Sequence, residues 1–215
     1  MRKVLIVAAL AAGTAFLALA GYMPMTRVEA QSASTGDTQT AIFAGGCFWC
    51  VESDFDHVPG VLETISGYTG GHLENPTYRD VVSETTGHRE AVKITYDPAK
   101  IDYEAMLDVF WRSVDPTDAD GQFCDRGESY TTAIYTLDAE QQAQAEASSA
   151  KVADQLGQKI ATLIEPATQF YPAEQYHQDY HNKNPVRYNF YRLGCRRDKR
   201  LEALWGEDAH RGIVK

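Results

Sequence analysis

The chain has little positive charge for its size. Its 215 residues carry 20 Lys and Arg against 30 Asp and Glu, a formal net charge of −10. A nucleic-acid-binding domain needs a basic face, so this balance argues against that class. The one basic cluster, between residues 187 and 200, is typical of a solvated helix face, with docking of an acidic partner as the alternative. The sequence shows no internal repeat.

Cysteine is also scarce, with four residues at positions 47, 50, 124 and 195. In an exported chain four cysteines permit two disulfides. A domain of about 175 residues can bury enough apolar surface to fold without covalent links, however. A redox role for the cysteines is therefore at least as well supported as a structural one.

The sequence lacks a convincing metal motif. Cys124 and Cys195 stand alone rather than forming a second C-x-x-C, so a zinc site has little support. His177 and His181 are four residues apart, but the glutamate of an H-E-x-x-H motif is absent. We therefore expect no metal site.

The N-terminus has the pattern of a secretory signal. Arg2-Lys3 is a basic start, an apolar run follows from Val4 to Ala20, and Val28-Glu29-Ala30 offers small residues for cleavage. We expect a signal peptide over residues 1–30, cleaved near Ala30 or after Ala20, and hence a periplasmic or secreted protein. An uncleaved membrane anchor is the alternative. Residues 31–39 are polar and predict a disordered leader.

The rest of the chain predicts one domain in which strands and helices alternate. We expect a catalytic domain over residues 40–185 and a tail with a short helix over residues 186–215. The predicted strands are 40–44, 78–82, 91–96, 130–135 and 160–164. The predicted helices are 47–55, 102–114, 138–157, 172–180 and 198–205, and residues 66–71 predict a glycine-rich loop. This alternation indicates an α/β (α+β) sandwich with a mixed sheet and two main helices.

The segment Gly45-Gly46-Cys47-Phe48-Trp49-Cys50 is the most informative. It places Cys47 between a predicted strand and a predicted helix, where free N–H groups and the helix dipole favour a thiolate. The glycines leave room beside the sulfur. Cys47 is therefore the candidate nucleophile, and the bulky Phe48 and Trp49 could form an apolar pocket for a small side chain.

Glu90 is the candidate acid. It shares strand parity with Val92, Ile94 and Tyr96, so it points toward the core if those residues do. Burial disfavours the charged form of a carboxyl and raises its pKa, which would keep Glu90 protonated and able to donate a proton. A solvent-facing glutamate at the end of the strand is the alternative.

Taken in order, these segments resemble the type A methionine sulfoxide reductases, the peptide-methionine (S)-S-oxide reductases. The resemblance spans about residues 41–185. The matching segments are Gly45-Gly46-Cys47-Phe48-Trp49 with Val51-Glu52, Ser66-Gly67-Tyr68 with Gly70-Gly71, Asn75-Pro76-Thr77-Tyr78, Thr86-Gly87-His88 with Glu90, Tyr96-Asp97-Pro98, Asp115-Pro116-Thr117, Asp125 with Gly127, Tyr130, and Ala173-Glu174-Gln175-Tyr176-His177-Gln178.

The resemblance implies a ferredoxin-like two-layer sandwich with an extended C-terminal coil, and it implies no metal and no organic cofactor. It also implies that Cys47 attacks the sulfur of the S epimer of methionine sulfoxide, free or in proteins, while Glu90 protonates the oxygen. The remaining residues that the resemblance assigns to the substrate are Phe48 and Trp49 at its methyl group, Tyr78 and Tyr130 at its oxygen, and Asp125, which orders the site.

The resemblance further implies that a second cysteine converts the sulfenic acid on Cys47 to a disulfide, which a thioredoxin-like donor then reduces. We favour Cys195 as this recycling cysteine, with Cys50 or Cys124 as alternatives, and Cys124 could instead pair with Cys195 in a structural or relay bridge. Two other functions stay open. One is a C-x-x-C thiol-disulfide oxidoreductase, and the other is a non-enzymatic secreted domain with two bridges. We expect a monomer.

Overall fold

A computed structural model describes residues 37–214. The predicted signal peptide and most of the predicted leader lie outside the described residues. The first strand begins at Gln39, one residue earlier than expected. Within residues 37–214, no helix combines the length and apolar character that crossing a bilayer requires.

The described chain forms eight strands, seven helices and two short 3₁₀ turns. The strands are β1 Gln39–Gly45, β2 Val61–Thr69, β3 Arg89–Tyr96, β4 Gly121–Gln122, β5 Asp125–Arg126, β6 Thr132–Thr136, β7 Leu163–Pro166 and β8 Tyr171–Pro172. The helices are α1 Phe48–Asp56, α2 Tyr78–Val81, α3 Tyr103–Ser113, α4 Ala139–Leu156, α5 Tyr180–Lys183, α6 Pro185–Gly194 and α7 Arg197–Trp205.

Six of the strands form one mixed sheet in the order β7-β6-β1-β3-β2-β8. Every neighbouring pair is antiparallel except β6 and β7, which are parallel. Helices α1, α3 and α4 contribute to the main core with one face of this sheet. The predicted α/β sandwich with a mixed sheet is therefore confirmed.

The core follows the alternation of side chains along the strands. Phe43 of β1 is fully buried and stacks on Phe110 of α3, with ring centroids 4.8 Å apart. In β3, Val92 and Ile94 lie in the same cluster. Ile42 joins a smaller cluster on the other side of β1. Because successive residues of a strand point to opposite faces, the parity of β3 is as predicted.

Polar caps define the two long helices as the sequence predicts. The Asp102 side chain accepts a hydrogen bond from the backbone N–H of Ala105 at the start of α3. Asp138 accepts in the same way from Gln141 at the start of α4, and Gly157 ends α4 in the left-handed conformation, with φ 59°. Each cap satisfies backbone groups that a helix end leaves unpaired.

Two local predictions are wrong. Residues 78–81 form helix α2 rather than a strand, because Thr77 and Asp80 make a capping box that starts a helix there. The predicted loop 66–71 largely belongs to strand β2. A Cβ on Gly67 would lie 2.5 Å from the carbonyl oxygen of Tyr171, so this glycine permits close packing of β8 rather than marking a loop.

The C-terminal part of the chain differs from the extended coil that was expected. Residues 172–180 are not a helix, and residues after Tyr180 form α5, α6 and α7. Helix α7 contributes the most deeply placed cation of this region, Arg197, which is 2% exposed. Its guanidinium donates to the carbonyl oxygens of Gly45 at 3.3 Å and Ser113 at 2.7 Å. It also lies 3.8 Å from a carboxylate oxygen of Asp54.

Replacing Arg197 should therefore loosen the C-terminal helices from the sheet. We expect Arg197→Met to lower the free energy of unfolding by about 3 kcal/mol, because the carbonyl groups it serves and the Asp54 carboxylate lose a buried partner. Urea unfolding measures the change. Lys199→Met, on the exposed side of the same helix, is the control. Equal stability of the two variants would refute this role for Arg197.

Glu52 of α1 links that helix to the C-terminal part of the chain. Its side chain is 1% exposed, and one carboxylate oxygen accepts a hydrogen bond of 3.1 Å from the backbone N–H of Asp179. The other oxygen has no hydrogen-bond partner among the described residues. Burial raises the pKa of Glu52 to about 7, although the Asp179 N–H opposes the shift.

This pKa predicts how stability depends on pH. The unfolded chain releases the Glu52 proton near pH 4.5, whereas the folded chain keeps it to about pH 7, so this group costs stability as pH rises between those values. We expect Glu52→Gln to gain about 2 kcal/mol relative to the wild type from pH 4.5 to 7.5. Chemical denaturation across that range measures it. The exposed Glu63→Gln is the control, and a pH-independent difference at Glu52 would contradict the assignment.

Candidate active site

The residues that the sequence singles out surround one small cavity. It has a volume of about 80 Å³ and opens beside the start of α1. Seven of its lining residues are those assigned from the sequence, and the eighth was not foreseen. The lining residues are Cys47, Phe48, Trp49, Tyr78, Glu90, Asp125, Tyr130 and Tyr191.

Cys47 is the N-cap residue of α1. Its backbone is not helical (φ −50°, ψ 115°), and its side chain is 6% exposed. This position places Cys50 at the third residue of the helix, where an N-cap side chain can reach it. Cys47 and Cys50 pack in the same buried cluster, each shifts the pKa of the other, and neither is in a disulfide.

The two glycines before Cys47 let neighbouring protein atoms pack closely against the turn, and they do not leave space for a substrate. Gly46 has φ +80°, and a Cβ there would lie 2.5 Å from the Cβ of Gln122. A Cβ on Gly45 would lie 2.8 Å from a methyl group of Val51. The space beside them is therefore filled by protein, contrary to the expectation that it is left for a ligand.

Glu90 points inward as its strand parity predicts. It is 2% exposed, and its Oε2 accepts a hydrogen bond of 2.9 Å from the backbone N–H of Phe48. Burial raises the pKa of Glu90 well above its usual value, and the negative charge of Asp125 adds to the shift, although the Phe48 N–H opposes it. Glu90 is consequently held in its protonated form, in which it can donate a proton.

The environment of Cys47 differs from the prediction of a stabilised thiolate. Burial raises the pKa of Cys47 well above its usual value, and donation of its proton to Cys50 raises it further. The first helical N–H, that of Phe48, donates to Glu90, and Cys47 makes no side-chain cap bond. The N-terminus of α1 therefore donates its hydrogen bond to Glu90 and not to the Cys47 sulfur, and the resting Cys47 is a thiol.

Cys50 has the opposite shift. The hydrogen bond from Cys47 lowers the pKa of Cys50, and the guanidinium groups of Arg197 and Arg192 lower it further against the effect of burial. Arg192 also forms an ion pair of 2.8 Å with the buried Asp54. Within the C-x-x-C pair, the more acidic thiol is Cys50.

Three tyrosines place hydroxyl groups around the cavity. The hydroxyls of Tyr78 and Tyr130 interact with each other, and burial raises the pKa of both, so both stay protonated. The Tyr191 hydroxyl donates to Asp125 and also interacts with the Cys47 thiol. The hydroxyls of Tyr78 and Tyr130 are therefore the candidate donors for an oxygen atom bound in the cavity.

Aromatic contacts hold Phe48 and Trp49 in place. The Trp49 indole N–H donates to Nδ1 of His177 at 3.1 Å, and the Trp49 ring stacks on Tyr180 with centroids 3.7 Å apart. The Phe48 ring packs against His177 at 4.9 Å. Burial lowers the pKa of His177, so it serves as a neutral acceptor for Trp49.

His177 and His181 do not form a pair. His177 lies with the aromatic residues of the cavity, whereas His181 lies 3.4 Å from Asp56. Over residues 37–214, the one group of three side chains close enough to share a metal ion comprises Cys124, Asp125 and Cys195. Its two sulfur atoms are bonded to each other.

The four cysteines fall into two pairs. Cys124 and Cys195 form a disulfide, with Cα atoms 4.9 Å apart, and Cys47 and Cys50 are free thiols. Cys195, favoured from the sequence as the recycling cysteine, is therefore bonded to Cys124 and not placed against Cys47. The pairing matches the bridge considered as an alternative, and a domain with two bridges is not what the structure contains.

Sequence reasoning missed the residues that α6 and its neighbours supply. Tyr188, Tyr191 and Arg192 recur at helical spacing after Pro185, a common first residue of a helix, and this pattern could have identified the inward face of α6. Glu174 also supports the site, since it accepts a hydrogen bond of 2.9 Å from the backbone N–H of Tyr78. No local pattern marks that contact.

Comparisons with known proteins identify the family of the chain. The family model described as "Peptide methionine sulfoxide reductase" matches residues 39–209. Peptide methionine sulfoxide reductase MsrA 2 of Rhizobium meliloti is 54% identical over 84% of this chain and 90% of its own length. The Caulobacter vibrioides protein of the same name is 58% identical over 79% of this chain and 86% of its own length.

A solved structure gives the same result. Methionine sulfoxide reductase A of Corynebacterium diphtheriae superposes with a TM-score of 0.67 and 34% identity, covering 69% of this chain and 76% of that one. The match of the family model over most of the chain, together with these relatives, shows that the chain belongs to the peptide methionine sulfoxide reductase family.

Proposed function

We propose that the enzyme reduces the S epimer of methionine sulfoxide, free or in proteins, in the cavity between Cys47 and Glu90. The observation that carries this proposal is the pairing of a buried thiol with a protonated carboxyl across a cavity of about 80 Å³. That volume has room for the methyl sulfoxide end of a side chain and not for a whole peptide. Phe48 and Trp49 contact the methyl group, and Tyr78 and Tyr130 donate to the oxygen.

The first half of the reaction transfers one oxygen atom to Cys47. Glu90 protonates the sulfoxide oxygen, which makes the sulfur electrophilic, and Cys47 attacks that sulfur while its own proton returns to Glu90. Methionine leaves, and Cys47 keeps the oxygen as a sulfenic acid. Asp125 and Tyr191 hold the side of the cavity next to the Cys47 thiol.

Cys50 is the thiol best placed to complete the first cycle. It packs in the same buried cluster as Cys47, whereas Cys195 is bonded to Cys124. Attack of Cys50 on the sulfenic acid gives a Cys47–Cys50 disulfide and one water. Because Cys47 is the non-helical N-cap residue, this disulfide does not have to join two helical residues three apart, a geometry unsuited to the bond.

A thioredoxin-like protein is the proposed electron donor, because reducing a protein disulfide requires thiol–disulfide exchange. We also propose that the enzyme is exported and repairs oxidised exported proteins. The signal-like pattern of residues 1–30 and the Cys124–Cys195 disulfide, a bond favoured in oxidising compartments, support this location. A C-x-x-C exchange function toward other proteins is disfavoured, since Cys47 and Cys50 are only 6% and 2% exposed.

Removing the acid should stop the chemical step without disturbing the site. We expect Glu90→Gln to lower kcat about 100-fold or more, because the amide can still accept from Phe48 but supplies no acidic proton. Wild-type activity should also fall as pH rises through the raised pKa of Glu90, and this limb should be absent in the variant. Reduction of a chromophore-labelled methionine sulfoxide with dithiothreitol measures both, with Glu63→Gln as control. Unchanged kcat in Glu90→Gln would rule out Glu90 as the acid.

The recycling assignment is tested by trapping the intermediate. After one equivalent of methionine sulfoxide and no added reductant, Cys50→Ser should accumulate a sulfenic acid on Cys47, because the adjacent thiol that condenses with it is gone. Dimedone labelling followed by mass spectrometry measures the adduct. Cys195→Ser is the comparison variant. If Cys195→Ser accumulates the adduct and Cys50→Ser does not, the sequence-based choice of Cys195 is right.

A further inference from the structure

His177 lies behind the wall of the cavity. It is 2% exposed and is not one of the residues that line the cavity. Its ring nevertheless packs against three residues that do, with its centroid 4.9 Å from that of Phe48, 4.6 Å from that of Tyr78 and 5.7 Å from that of Trp49. Phe48 and Trp49 form the proposed methyl pocket, and Tyr78 is a proposed donor to the sulfoxide oxygen. One buried ring therefore contacts both parts of the substrate site.

A single hydrogen bond ties the imidazole to the methyl pocket. The Trp49 indole N–H donates to Nδ1 of His177 at 3.1 Å, so the proton of the neutral imidazole lies on Nε2. Within residues 37–214, Nε2 is buried and has no hydrogen-bond partner. If position 177 served packing alone, an apolar side chain would avoid the cost of burying this unpaired N–H. The acceptor for Trp49 is therefore what the histidine adds at this position.

The same segment also holds Tyr78. The Oε1 atom of Glu174 accepts a hydrogen bond of 2.9 Å from the backbone N–H of Tyr78. The carbonyl oxygen of Glu174 accepts one of 2.8 Å from the backbone N–H of His177. The positions of Tyr78 and of the Trp49 ring are thus both set by residues 174–177. A shift of the oxygen donor relative to the methyl pocket requires that one of these contacts breaks.

The relative position of these two parts decides which epimer of the sulfoxide fits. The sulfoxide sulfur carries an oxygen, a methyl group, the side-chain methylene and a lone pair. When the side chain enters by the same opening and Cys47 attacks from the same side, the two epimers differ by an exchange of the oxygen and the methyl group. The R epimer then places its oxygen against Phe48 and Trp49 and its methyl group against the Tyr78 hydroxyl, which leaves buried polar groups unpaired.

We propose that His177 is a positioning residue that sets the selectivity of the enzyme for the S epimer and for a methyl group on the sulfur. This inference rests on the proposed function of the cavity. His177 acts through Trp49 and Tyr78, because its own ring lies outside the cavity lining. It holds the methyl pocket at a fixed distance from the oxygen donor. When Trp49 loses this contact, the site tolerates an exchange of the oxygen and methyl groups and also a longer alkyl group.

Two substrate ratios test this role. His177→Leu fills much of the same volume but cannot accept from Trp49. We expect its ratio of kcat/KM for the S over the R epimer of methionine sulfoxide to fall about 10-fold or more, because the wrong epimer is no longer rejected by unpaired polar groups. Its ratio for methionine sulfoxide over the S-ethyl homologue, ethionine sulfoxide, should fall as well. Reduction of each separated sulfoxide with dithiothreitol, followed by chromatography of the thioether, measures both ratios.

Three further variants complete the experiment. His177→Phe keeps a ring against Phe48 and Tyr78 but lacks the acceptor, so it should show the same losses. His177→Asn should recover part of both ratios, because its side-chain oxygen can accept from Trp49 in place of Nδ1. Gln175→Leu, an exposed position of the same segment, is the control and should keep the wild-type ratios.

The ratios separate positioning from a merely structural role, since a partly unfolded variant loses activity toward all sulfoxides equally. Wild-type values of both ratios in His177→Leu and His177→Phe would overturn the proposal. Failure of the wild-type enzyme to reduce either epimer would instead refute the proposed function of the cavity.

Discussion

The hydrogen bond from the backbone N–H of Phe48 to Glu90 is the contact on which the active site depends. It joins the first turn of α1 to the inward face of β3 and so fixes the distance between the nucleophile and the acid. Because the helix terminus uses its first donor on the carboxyl, the sulfur of Cys47 receives no such bond. The site therefore combines a protonated acid with a buried Cys47 thiol, rather than a free thiolate facing a carboxylate.

The C-terminal helices α6 and α7 supply part of the active site. Tyr191 of α6 closes the cavity, and Arg197 of α7 donates to Gly45, two residues before the nucleophile. The same two helices supply the guanidinium groups that lower the pKa of Cys50. An electrostatic difference between the two thiols of one C-x-x-C thus arises from a segment about 150 residues away in the sequence.

Structural features that depend on local residues or on a periodic pattern are predicted correctly from the sequence. Strand parity places Glu90 in the core, and the caps at Asp102 and Asp138 mark where two helices begin. Residues 78–81 have a composition typical of a strand, but a short capping box starts a helix there. Gly67 was assigned to a loop because the sequence alone does not distinguish a loop glycine from one that lets another strand approach closely. Only at Gly67 does a tertiary contact override the local preference.

The residues that line the site are easier to predict from the sequence than their pKa shifts and their pairings. The resemblance selects the residues around the cavity, yet the direction of the Cys47 pKa shift depends on which group the Phe48 N–H faces. The contribution of Tyr191 depends on how α6 docks, and the pairing of Cys124 with Cys195 joins residues 71 positions apart. Contacts between residues this far apart in the sequence cannot be recognised from the local pattern of residues.

The docking of α6 and α7 has a consequence for biogenesis. A growing chain that still lacks these helices has Cys47 and Glu90 but neither the wall formed by Tyr191 nor the cations beside Cys50. The difference in acidity between the two thiols therefore arises only after α6 and α7 have folded onto the sheet.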